Sequence, residues 1–248
     1  METASVKQMF QALLKNDQAM AVVVTIVMVN CSIYLTSNLV IYFFKYDFGG
    51  SSWYNSYTLF NTFGGAVQIL AMMLFYPLLR RFMESLKIFY ISILMAGIGY
   101  VSLLALAFIN MTNVYLLFIP AFFIFGANGI LSVLTTVFLA NTVDYGRWKN
   151  KRSDESVIFS MQTFVVKLAS GLSAFVASLA LQIFQLSSQA TSDQQKSIDF
   201  ARATAQSSKI GLRMVMTIIP VIGLAFALIW FKKKYILSDE KMKEIEGK

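Results

Sequence analysis

Six times between Ala19 and Phe231 the sequence runs for twenty or more residues with almost no charge, and each run is bounded by polar residues. An apolar run of that length is what an α-helix needs to cross about 30 Å of hydrocarbon at ~1.5 Å per residue. The runs are Ala19 to Phe44, Ser56 to Leu79, Ile88 to Ile109, Val114 to Leu139, Val157 to Phe184 and Leu212 to Phe231. Because every backbone polar group must be satisfied inside lipid, such runs predict an all-α membrane protein of six transmembrane helices. Composition agrees: 57% of residues are hydrophobic and 14% charged, against about 25% charged in soluble domains.

The division that follows is a lead-in at 1–18, a six-helix bundle at 19–231 and a charged tail at 232–248. In the lead-in, Val6, Met9, Phe10 and Leu13 recur at helical spacing behind Ser5. This predicts a short amphipathic helix at the membrane interface, too polar to span and without the pattern of a signal peptide. Fifteen Lys and Arg residues fall on the side of the termini and four on the other. That imbalance predicts a multi-pass protein of the cell membrane, the inner membrane in a two-membrane bacterium, with both termini cytoplasmic. The net charge of +8 is then a matter of orientation, and no nucleic-acid partner is expected. The segment 185–210 reads as a solvated connector.

With no histidine and one cysteine, Cys31, the chain lacks histidine bases, histidine metal ligands and an intrachain disulfide. Catalysis is not expected. Ser160 or Ser170 with Lys167 as base remains conceivable, but no oxyanion-hole signal accompanies them.

Two charges lie within the runs, Lys167 and Arg213. Arg213 sits near a helix end, where its guanidinium is expected to snorkel to water. Lys167 lies ten residues beyond Val157, about 15 Å into the membrane at helical rise. A charge at that depth faces a cavity or pairs with an acid, yet all 13 acids fall outside the runs. Around it, Ser160, Thr163, Ser170, Gly171 and Ala174 form a polar and small stripe, while Ile158, Met161, Val165, Leu168 and Leu172 form an apolar one. Weaker polar stripes recur at Asn30, Tyr34, Ser37, Asn38 and Tyr42, at Asn61, Gly65 and Gln68, and at Asn128, Ser132 and Thr135. Each alone suits ordinary packing between membrane helices. Together they point to a hydrated cavity whose amides, hydroxyls and aromatic rings suit a polyhydroxylated ligand.

The densest motif runs from Asn141, Thr142, Val143, Asp144, Tyr145, Gly146, Arg147, Trp148 and Lys149 through Glu155, Ser156, Phe159, Ser160, Gln162, Thr163, Phe164, Val165, Val166 and Lys167. It resembles the glycoside, pentoside and hexuronide cation symporters, the melibiose-carrier type, within the major facilitator fold. The resemblance covers nearly the whole chain, but only as the C-terminal half of a twelve-helix carrier, one bundle of two. It implies that the chain is a fragment or split-gene product of a sugar:cation symporter needing an N-terminal six-helix bundle. That bundle would supply the acids for the coupling cation, H+ or Na+. The ligands implied are a glycoside or related sugar and a monovalent cation, in a lipid bilayer, with no resident cofactor. Lys167 is then expected beside the sugar and cation sites, with Asn30, Tyr34, Asn38 and Thr163 touching substrate. Asp144, Arg147, Arg152 and Glu155 are expected in a cytoplasmic loop whose charges take part in gating contacts between bundles. Three departures stand out: Ser132 where an aromatic sugar contact is expected, Asn141 in place of an acid, and Arg147 where many members carry Glu. A different sugar is therefore expected. The rival reading is a membrane assembly or regulatory subunit that does not itself transport.

Overall fold

A computed structural model describes residues 16–109, 113–150, 155–186 and 204–246. The amphipathic lead-in before Asn16, Arg152 and most of the 185–210 connector lie outside these residues. Among the described residues the architecture is six long antiparallel helices and one short one. Helix α1 runs as an α-helix over Asp17–Tyr42 and continues as a π-helix over Phe43–Phe48; α2 spans Trp53–Arg80, with a π-helical stretch at Ala71–Phe75. They are followed by α3 (Ser85–Phe108), α4 (Phe118–Asn150, led in by a 3-10 turn at Val114–Leu117), α5 (Glu155–Ile183), α6 (Gln206–Lys234) and α7 (Asp239–Glu246). The first six are long and apolar enough to cross a membrane. We refer to the end of the bundle holding Asp17 and Lys234 as the terminal end and to the other as the distal end.

Helix α1 is the hub, packed on α4, α5 and α6; α3 packs on α4 and α6, and α2 leans on α4. Its central place explains its pattern: Ala19, Val22, Ile26, Val29, Leu35 and Leu39 are all buried. By contrast α2 buries little beyond Phe60, Gly64, Val67 and Ala71 and exposes Met72, Met73, Leu74 and Leu78. Such exposed apolar area is costly in water and appropriate against lipid. Most buried hydroxyls of the described residues bond back onto their own helix, as Thr25, Ser92 and Thr217 do onto the carbonyls four residues before them, but one crosses between helices. The Thr36 hydroxyl donates to the Met216 carbonyl at 2.9 Å and lies 3.2 Å from the Tyr100 phenol oxygen, tying α1 to α6 and α3.

The terminal end is laced by side chains. Asn16 caps α1 by accepting from the Ala19 amide (3.0 Å) and donates to the Thr142 carbonyl on α4 (2.8 Å). Gln18 accepts from the Ile236 amide at 2.9 Å, and Lys149 pairs with Asp17 at 2.8 Å. Beyond α6, residues 235–246 fold back onto the bundle. Tyr235 and Leu237 are buried, Met242 and Ile245 of α7 pack inward, and Asp239 pairs with Arg80 at 2.8 Å while accepting from the Ser85 amide at the start of α3.

Two charge expectations require correction. Helix α1 extends past Phe44 through its π-helical end, so Asp47 lies on the helix and not in a loop. Arg213 does not snorkel: it makes a two-pronged ion pair with Asp47, Nε to Oδ2 at 2.5 Å and Nη2 to Oδ1 at 2.6 Å, with 8% and 3% of the two side chains exposed. The Phe108 ring covers the guanidinium from a third helix, 5.2 Å to the centroid. A planar fork matching a carboxylate outcompetes water here because both ends of the pair are supplied by the fold.

Candidate functional site

Three helices converge on a cleft of about 190 Å³ lined by Asn30 and Tyr34 of α1, Asn128, Ser132 and Thr135 of α4, and Gln162 of α5. The polar residues sit at helical spacing on each element, so one face of each helix is presented. Local bonds pre-set several of these groups. Asn30 donates its amide to the Ile26 carbonyl at 2.8 Å, and Ser132 donates to the Asn128 carbonyl at 2.9 Å. Gln162 reaches across to α4, donating to the Thr136 hydroxyl at 3.1 Å. Among the described residues no charged side chain lines this cleft. Amide and hydroxyl groups beside a phenol supply both donors and acceptors, as a ligand rich in hydroxyls requires.

A second, larger cleft of about 470 Å³ opens toward the distal end between α1 and α5, and its lining includes Asn38, Tyr42, Lys45, Tyr46, Trp53 and Ser178. The five substrate-contact candidates are therefore divided. Asn30 and Tyr34 share the inner cleft, Asn38 lies two turns on in the distal one, and Thr163 and Lys167 line neither. Thr163, turned back onto the Phe159 carbonyl at 3.4 Å, and Lys167 occupy the exposed side of α5, along with Ser160 and Ser170. The reason is the rotation of α5: it buries Ile158, Met161, Val165, Ala169, Ser173 and Ala177 against α1, which turns the polar stripe away from the packed face. The apolar stripe is likewise split, with Leu168 and Leu172 exposed beside buried Met161 and Val165. Among the described residues no carboxylate forms an ion pair with Lys167.

The stripe of Asn61, Gly65 and Gln68 does not join the inner cleft: Asn61 turns its amide onto the Tyr57 carbonyl at 3.1 Å. Gln162 is the residue that the sequence stripes missed. It lies one position before Thr163, at the edge of the polar arc rather than its centre. The polar arc of α4 at Asn128, Ser132 and Thr135, which needs a facing partner, was the signal that could have found it.

The gating candidates also shift in setting. Asp144 and Arg147 are not in a loop, because α4 continues to Asn150; they face each other one turn apart at 3.8 Å, both largely exposed. The extension is held by the Asn16 bond to Thr142 and by a close approach at Gly146, where an added Cβ would stand 2.9 Å from Asn16 Nδ2. Arg147 and Lys149 in the last turn also complement the helix dipole. Glu155 is exposed in the first turn of α5.

The family model described as MFS/sugar transport protein matches residues 2–237. The lactose permease of Lactobacillus delbrueckii subsp. bulgaricus is 26% identical over 246 residues, which is 98% of this chain and 36% of that protein. The raffinose carrier protein of Pediococcus pentosaceus is 25% identical over 244 residues, 98% of this chain and 35% of that protein. An uncharacterized symporter of Bacillus subtilis is 29% identical over 134 residues, 54% of this chain and 27% of that protein. The chain thus spans about a third of the length of the curated relatives it matches.

Proposed function

Because the chain belongs to the MFS/sugar transport protein family, as a multi-pass membrane protein, we propose that its helices form the C-terminal bundle of a sugar:cation symporter. A second six-helix bundle, on the same polypeptide or a separate one, completes the carrier. Substrate, a glycoside or related sugar, is held between the bundles and released alternately to the two sides as one rocks against the other. Acids of the second bundle hold the coupling cation, H+ or Na+, and the chain acts as a carrier and not as a catalyst. The terminal end is cytoplasmic, following the excess of Lys and Arg there.

One observation carries this reading: the polar face of α5 bearing Lys167 is exposed on the six-helix unit at mid-helix depth, beside a cleft lined by uncharged polar groups. A lysine there has a reason to persist if a carboxylate or ligand from the facing bundle meets it. Lys167 then links the sugar and cation sites, Asn30, Tyr34 and Thr163 contact the sugar, and Asn38 does so further along the path. Asp144, Arg147, Arg152 and Glu155 close against the second bundle on the cytoplasmic side. The test is the Lys167→Leu substitution in a reconstituted two-bundle carrier containing these helices. Sugar accumulation is expected to be abolished; accumulation at the unsubstituted rate would refute the role.

A further inference from the structure

Helices α5 and α6 both pack on α1 but scarcely meet each other. Between them lies a groove of about 380 Å³ that shares no lining residue with either polar cleft. Its walls, Leu172 and Val176 of α5 and Ile219, Ile222 and Phe226 of α6, are exposed, so the groove opens on the outside of the bundle. Its floor is α1. The polar groups of the lining are turned onto backbone: the Ser32 hydroxyl donates to the Met28 carbonyl at 2.8 Å and the Ser173 hydroxyl to the Ser170 carbonyl at 2.9 Å, while the Cys31 thiol faces the Ala169 carbonyl at 3.7 Å. Among the described residues no charged side chain lines it. Water in an uncharged groove whose donors are spent has too few partners to stay, and an empty one forfeits dispersion contacts along its whole lining. At this depth in a membrane-spanning bundle, hydrocarbon is what fills it.

The groove has a charged mouth on the same helix face. Ile219, Ile222, Phe226, Trp230 and Lys233 follow one another at intervals of three or four residues, so Lys233 stands above the groove at the terminal end. Half-buried Trp230 fixes that face: its indole N–H donates to the Ala21 carbonyl of α1 at 3.3 Å, and the Lys234 ammonium lies 5.8 Å from its ring centroid. Lys233 and Lys234 are both exposed. We infer that an anionic phospholipid binds along this face, its phosphate at Lys233 and Lys234 and one acyl chain in the groove. The dimensions agree. At helical rise the groove begins about 10 Å from Lys233, at Phe226, and ends about 21 Å from it, at Ile219. Those are the depths of the inner half of one leaflet in a core about 30 Å thick. A second copy of the chain is a poorer occupant, because a two-fold axis along the membrane normal would set the same lysines of both copies against each other. A lipid brings the opposite charge and the apolar chain together.

The test is quenching of Trp230 fluorescence by chain-brominated lipids, with the full chain carrying Trp53→Phe and Trp148→Phe in phosphatidylcholine nanodiscs. Brominated phosphatidylglycerol is expected to half-saturate the quenching at about a tenfold lower mole fraction than brominated phosphatidylcholine, the gain two lysines give against an anionic headgroup. Replacing both exposed lysines, Lys233→Gln with Lys234→Gln, should remove that preference. Val176→Phe, which fills the groove from its exposed wall and leaves the lysines in place, should raise the half-saturating fraction of the anionic lipid severalfold. Equal half-saturation by the two lipids in the chain with its lysines, or a preference that survives the double lysine replacement, overturns the proposal. Unchanged half-saturation in Val176→Phe means that the lysines alone recruit the lipid, which overturns the groove as the seat of its chain. A dimer in the disc whose Trp230 neither lipid quenches assigns the face to a second copy and also overturns it.

Discussion

Replacing Asp47 by Asn keeps the shape of the side chain and removes its charge, leaving the Arg213 guanidinium at 8% exposure with no counter-ion. Breaking one side of a buried pair costs about 3–5 kcal/mol, because the orphaned ion pays its desolvation without return. For a chain of this size each kcal/mol lowers the melting temperature by about 2–4 °C, so Asp47→Asn should lower it by roughly 6–20 °C. The paired replacement Asp47→Leu with Arg213→Met removes both charges and should recover to within about 1 kcal/mol of the starting protein. Its methionine keeps an apolar contact for the Phe108 ring, which lies 5.2 Å from the guanidinium carbon. The assay is label-free thermal unfolding in a neutral detergent, read from Trp53, Trp148 and Trp230. Raising salt to about 1 M should leave the difference standing, since a buried pair is screened far less than an exposed one. The reasoning is refuted if Asp47→Asn melts within about 1 kcal/mol of the unsubstituted chain, or if the double variant is no more stable than the single one.

A Cβ added at Gly129 would stand 2.5 Å from the Gln68 carbonyl oxygen and 2.9 Å from the Ala71 Cβ. Gly129→Ala should therefore force α2 off α4 at a cost of about 1–3 kcal/mol, while Gly65→Ala, which meets nothing within 4 Å, should be neutral or mildly stabilising by helix propensity; equal melting temperatures for the two would count against the packing argument. Burial holds the Tyr235 phenol well above its usual range, opposed in part by its hydrogen bond from the Asn141 amide. The raised value in the folded state means that the docking of residues 235–246 is fully stable below the ordinary phenol pKa of about 10 and weakens as pH rises through it toward the folded value. Protease cleavage within the segment should accordingly increase as pH rises above about 10, and Tyr235→Phe should abolish that part of the pH dependence; the same alkaline loss in Tyr235→Phe would refute it.

What the sequence made legible was governed by the solvent. Six apolar runs had to become helices because lipid leaves backbone groups no other partner, and each observed helix overlaps its run. Their ends were less legible because they are set by tertiary contacts. The stretch from Asn141 to Lys149 reads as polar loop, yet Thr142, Val143, Tyr145 and Gly146 are buried, an α-helical pattern that becomes visible only once Asn16 is known to sit against it. The Asp47–Arg213 pair joins residues 166 positions apart. Nothing local to Arg213 distinguishes a snorkelling arginine from one with a waiting carboxylate.

The site divides along the same line. A polar arc on α5 can be read from spacing alone, but spacing does not say which edge of the arc a neighbouring helix will meet. The packed face of α5 is set by small residues, Ala169, Ser173 and Ala177, which let α1 approach as small residues do in membrane bundles. That contact turns Gln162 into the cleft with Asn30 and Tyr34 and leaves Thr163 and Lys167 outside it. A charge on the exposed face of a membrane bundle is costly against lipid unless something beyond that bundle compensates it. The residues least explained by contacts within these six helices are therefore the ones whose roles depend most on what faces them.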